Sequence, residues 1–179
     1  MALTTSGDGP VKAMRPTVAA LAGRAIAAIA LCAGAAGMLA PAAAAASEGS
    51  TYPDAARASS DVAAAIRKAQ QQGRRVLVDF GANWCGDCKV LDANFQRPEN
   101  LALLRDYYIL VHVNVGDRGI DQNLDLAQRY GIPLKKGVPA LAVLDAQGHV
   151  VYSQKNGEFE SMDRVDPGSV HEFLLHWKQ

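Results

Sequence analysis

The stretch that decides the fold is Val78-Asp79-Phe80-Gly81-Ala82-Asn83-Trp84-Cys85-Gly86-Asp87-Cys88-Lys89. It begins inside an apolar run, Arg75 to Phe80, that reads as a buried strand. The loop Gly81 to Trp84 follows, and Cys85 to Phe95 reads as a helix. Two residues between cysteines let both sulfurs meet across the first helical turn and close a small, reducible disulfide. Cys85 then lies where unpaired N–H groups and the helix dipole stabilise a thiolate. Thiolate is the attacking species in disulfide exchange, so the spacing predicts a nucleophile at neutral pH. Cys88, one turn further in, is expected to be the less exposed and resolving sulfur.

Working outward, Ser60-Asp61 offers an N-cap, Val62, Ile66 and Ala69 repeat at helical spacing, and Gly73 supplies the stop. A short helix is expected from Glu99 to Asp106, then a strand from Tyr108 to Val115 and a helix from Asn123 to Tyr130. Ala140 to Leu144 and His149 to Ser153 flank Asp145-Ala146-Gln147-Gly148, a hairpin signal. Asp166-Pro167 precedes a final amphipathic helix with Val170, Phe173, Leu174 and Trp177 on its buried side. The order predicts an α/β fold, a mixed central β-sheet with helices on both faces.

The chain before Ser47 differs in kind. Lys12, Arg15 and Arg24 precede an uncharged, alanine-rich run from Ala25 to Ala40, and small residues continue to Ala46. Residues 1–46 therefore read as a secretory signal peptide cleaved after Ala46. The run is shorter and less apolar than a spanning helix of about 20 residues, which disfavours a membrane anchor. Cys32 lacks a small residue just before it, because Ile29-Ala30-Leu31 precedes it, so a lipid anchor is disfavoured too. Residues 47–59 read as a flexible lead and 60–179 as the folded domain. Export to the periplasm or outside the cell is the expected location.

The 18 basic and 18 acidic residues cancel, which leaves no electrostatic footprint for nucleic acid. Three cysteines, Cys32, Cys85 and Cys88, are too few for a multi-bridge scaffold or a four-cysteine zinc module. His112, His149, His171 and His176 form no second ligand pair, and His171 and His176 fall on different helix faces. Haem attachment would need histidine where Lys89 stands. No metal and no organic cofactor is expected; the chemistry belongs to the Cys85–Cys88 pair.

VDFGANWCGDCK closely resembles the active-site segment of thioredoxins, and the resemblance extends from about Val62 to the C-terminus. The resemblance implies a thioredoxin fold and thiol–disulfide oxidoreductase activity. Asp79, six residues before Cys85, stands where thioredoxins carry a buried acid that exchanges protons with the second cysteine. Burial on a strand favours the protonated carboxyl, which suits general acid–base work on Cys88. Gly137-Val138-Pro139 is similar to the cis-proline loop facing the disulfide, which makes Val138 and Pro139 expected contacts for substrate backbone. Trp84 is expected to pack over the pair and meet substrate.

Gly86 and Asp87 replace the Gly-Pro of thioredoxin. The charge of Asp87 opposes thiolate formation and favours a reducing pair. Pro133-Leu134-Lys135-Lys136 is longer than the thioredoxin equivalent, and the stretch after Phe95 is more similar to exported thioredoxin-like domains and the C-terminal domain of the membrane reductant DsbD. Oxidising DsbA-like proteins carry a sizeable helical insertion for which 133 residues after Ala46 leave no room. The implied activity is therefore reduction of disulfides in exported proteins, by a monomer recharged from a membrane electron donor. The alternatives are an oxidant or isomerase in the same compartment, and a non-catalytic binding module or chaperone.

Overall fold

The computed structural model describes residues 50–179. The expected secretory segment and Cys32 lie outside the described residues. Helix α1 (Ala58–Gln72) leads into strand β1 (Arg75–Gly81), and α2 (Gly86–Phe95) and α3 (Pro98–Tyr107) follow it. Strand β2 (Tyr108–Asn114), helix α4 (Leu124–Arg129), strands β3 (Ala140–Leu144) and β4 (Val150–Ser153), and helix α5 (Ser169–His176) complete the order. Among these residues no helix is long and apolar enough to cross a membrane.

The sheet runs β2-β1-β3-β4, with β1 parallel to β2 and antiparallel to β3. A central strand covered on both faces has no solvent side, which is why Arg75–Gly81 reads as a continuous apolar run. Val76, Val78 and Phe80 point to one layer, with Val62, Ala65 and Ala69 of α1 and Leu126 of α4. Leu77 joins the other layer, with Leu91 and Phe95 of α2, Leu104 of α3, and Val170 and Leu174 of α5. Each fully buried Leu or Phe here contributes about 1.5–3 kcal/mol of transfer free energy. Two layers of helix on one mixed sheet is the architecture expected.

Three local expectations need correction. The first helix starts at Ala58, ahead of Ser60-Asp61, because a 3-10 turn at Ala55–Arg57 feeds straight into it and Asp54 accepts the N–H of Ala56. Asn123 is the cap of α4 rather than its first residue, with φ of 54°. The lead is not loose from Tyr52 onward: Tyr52 is 2% exposed and its backbone N–H and carbonyl both bond the side chain of Asn83. Asn114 donates to the Pro53 carbonyl and Asn123 to that of Ala55. Side-chain amides thus replace the backbone partners that a segment outside the sheet lacks.

Candidate active site

The site forms beyond the C-terminal end of β1, at the start of α2. Cys85 is the N-cap of α2 in extended backbone (φ −77°, ψ 118°), and its Sγ accepts the N–H of Cys88 at 3.1 Å. Helix N-termini leave such N–H groups without intrahelical partners, so a sulfur there is stabilised as an anion by the bond and by the dipole. The two cysteines are joined as a disulfide, with Cα atoms 5.3 Å apart. Cys85 is 5% exposed and Cys88 0%.

The Val138–Pro139 peptide bond is cis, and the Val138 carbonyl oxygen lies 3.5 Å from Cys85 Sγ. The loop is held from behind by Gln154, which is buried. Its Oε1 accepts the Leu141 N–H, and its Nε2 donates to the Pro139 carbonyl. Trp84 is 45% exposed and its indole N–H donates to the Gly116 carbonyl at 2.8 Å, which fixes the ring beside the pair's loop. Gly86 is exposed, and a Cβ there would meet open space. Asp87 is half-buried and accepts the Met162 N–H at 2.8 Å, tying α2 to the segment after β4. Lys135 and Lys136 sit exposed on a 3-10 turn just before Gly137.

Asp79 is fully buried. Its Oδ2 accepts the Tyr52 hydroxyl at 2.7 Å and lies 2.9 Å from Nδ1 of His112, its register neighbour on β2. Oδ1 is buried with no hydrogen-bond partner. Both donors thus converge on Oδ2. Burial opposes charge on His112, but the hydrogen bond and charge of Asp79 and the charge of Asp92 outweigh it, raising the imidazole pKa above its ordinary value. Burial, then Asp79, push the Tyr52 phenol far up, so it stays a donor.

The structure thus brings Cys85, Cys88 and the Val138–Pro139 loop together, and Asp79 lies fully buried on the strand that leads into their loop. Among the described residues no cluster of His, Cys, Asp and Glu is arranged to hold a metal ion. Sequence reasoning missed Tyr52, Gln154 and Met162, and treated His112 only as a possible ligand. Alternation along Tyr108–Asn114 was the available signal for His112, a polar residue inside an apolar strand paired with β1.

The profile of the Thioredoxin-like family matches residues 57–146. The chain belongs to that family. It is a thiol–disulfide oxidoreductase of the thioredoxin-like kind, with its redox pair at Cys85 and Cys88. The thiol:disulfide interchange protein DsbD 2 of Pseudomonas aeruginosa is 29% identical over 115 residues, which are 63% of this chain and 17% of that protein. The chain therefore spans under a fifth of that relative's length. A thioredoxin of Chlamydia pneumoniae is 36% identical over 86 residues, 47% of this chain and 74% of the relative. The solved disulphide isomerase of Xylella fastidiosa superposes with a TM-score of 0.67 at 32% identity, covering 72% of this chain and 97% of that one.

Proposed function

We propose that this thioredoxin-like domain is an exported reductant of protein disulfides. The observation that carries the reading is the unequal pair: Cys85 at a helix N-terminus against the Val138 carbonyl, and Cys88 fully enclosed behind it. In the reduced protein the Cys85 thiolate attacks a substrate disulfide and forms a mixed disulfide, releasing one substrate sulfur as thiolate. Cys88 gives its proton to Asp79 and attacks Cys85 Sγ. The Cys85–Cys88 bond forms, the Cys85–substrate bond breaks, and the substrate leaves with two electrons. Trp84 and the Val138–Pro139 backbone seat the substrate chain, and the Asp87 charge makes the pair a stronger reductant.

Residues 1–46 serve as the secretory signal, and the mature protein works as a monomer outside the cytosol. There a membrane electron donor recharges it; likeness to the DsbD proteins supports that partner class. An isomerase role is the second reading, supported by likeness to the Xylella protein described as a disulphide isomerase.

Insulin reduction by the full chain tests the cysteine roles. Cys85→Ser is expected to abolish turnover, and Cys88→Ser to stall as a covalent mixed disulfide visible by mass spectrometry. Full activity in Cys85→Ser would overturn the reading.

A further inference from the structure

We propose that Tyr52 and His112 are positioning residues that pin Asp79 by Oδ2 and so leave Oδ1 as the acceptor of the Cys88 proton. The inference rests on the proton-exchange reading of Asp79 and adds two residues to it, one of them outside the span matched by the family profile. A carboxylate free to rotate offers either oxygen. Here both donors converge on one oxygen, at 2.7 and 2.9 Å, and the other is enclosed without a partner. An unpaired buried oxygen costs free energy in the resting protein, and Oδ1 is the carboxyl oxygen whose acceptor capacity is still unused.

The arrangement is built rather than incidental. Tyr52 reaches Asp79 only because Gly81 has no side chain; a Cβ there would fall within the phenol ring. The Tyr52 backbone is clamped in both directions by Asn83, two residues before Cys85, so the segment that delivers the phenol is tied to the loop that carries the nucleophile. The Tyr52 and His112 rings meet edge to face, with centroids 5.2 Å apart, which fixes both donors relative to each other.

Charge enters through His112. It faces Asp79 on β1 and Tyr52 on the N-terminal strap, feels Asp92 on α2, and shares a shallow cleft with Asp61 and Lys68 of α1. The acids predominate, so the imidazolium persists to higher pH than an isolated histidine. While charged, it adds its attraction to the hydrogen bond at Oδ2 and holds that oxygen more firmly. Cys88 then loses its proton to Oδ1, and the resulting thiolate displaces the substrate sulfur from Cys85.

Single-turnover reaction of the reduced full chain with an aromatic disulfide that releases coloured thionitrobenzoate separates the steps. In a Cys32→Ser background, which leaves only the two thiols of the pair, the first release reports attack by Cys85 and the second reports resolution by Cys88. Tyr52→Phe and His112→Ala are each expected to leave the first phase unchanged. Each should move the acid limb of the second phase to higher pH by about one unit, a loss of about tenfold below the limb, as expected for a hydrogen bond to a charged group. His112→Gln, which keeps an N–H donor without charge, should restore part of the His112→Ala loss. Asp79→Asn supplies the reference and should slow the second phase by about 100-fold.

Thermal melts and circular dichroism of each variant exclude loss of fold as the cause. If Asp79→Asn slows resolution but neither Tyr52→Phe nor His112→Ala moves the limb, the pinning is overturned and the Asp79 reading stands. If Asp79→Asn leaves resolution unchanged, both fall. Equal slowing of the two phases in Tyr52→Phe would mean a general structural role and would also overturn the proposal.

Discussion

The two sides of the redox pair are made in different ways. On one side, β1, its loop and α2 are contiguous in sequence, and local physics supplies what the chemistry needs: a strand end, a helix N-terminus and two sulfurs one turn apart. On the other, the surroundings come from distant segments. Tyr52 from the N-terminal strap and His112 from β2 bond Asp79; Gln154 and Met162 from beyond β4 bond the Pro139 and Leu141 backbone and Asp87. The contiguous part makes the pair reactive, and the distant parts set how it is poised and what it meets. Substitutions on the two sides should therefore fail differently, the first changing attack by Cys85 or the potential of the pair and the second slowing resolution or lowering stability.

Gln154→Ala should give the larger effect on the distant side. It strips the buried Leu141 N–H of its acceptor and the Pro139 carbonyl of its donor, at a cost of about 1–3 kcal/mol. Denaturant unfolding should register that loss, and KM for insulin should rise while the Cys85 attack rate stays near that of the parent. Unchanged stability with lost attack would erase the distinction between the two sides. Asp87→Asn should give a smaller change. The amide keeps an oxygen for the Met162 N–H and removes only the charge, so the reduced pair gains thiolate character. The reduction potential should rise by about 10–30 mV, up to tenfold in the exchange constant. A fall in potential would show that Asp87 acts through the loop and not through charge.

Legibility in the sequence follows the same division. The strand at Arg75–Gly81, the cap at Cys85 and the hairpin at Asp145–Gly148 are written in consecutive residues, so periodicity and turn chemistry expose them. The lead from Tyr52 was not legible, because small polar residues around one aromatic look the same whether that aromatic is buried or free. Its anchors, Asn83, Asn114 and Asn123, lie 31 to 68 positions away. The segment after β4 was not legible either. Lys155 to Val165 is polar enough to read as a solvated loop, yet it buries Phe159 and Met162 against the helices of one face. For Asp79, alternation in β1 indicated its face, and the identity of its donors required the β1–β2 register.

The reduction potential of the Cys85–Cys88 pair tests the central claim most directly. Equilibration of the protein in glutathione or dithiothreitol buffers, with the oxidised fraction read by alkylation and mass spectrometry, gives it. A fully buried Cys88 beside an acidic CxxC dipeptide predicts a reducing pair near the thioredoxin value of about −270 mV. A value near the DsbA level of about −120 mV, or the absence of any reversible couple, would contradict the account.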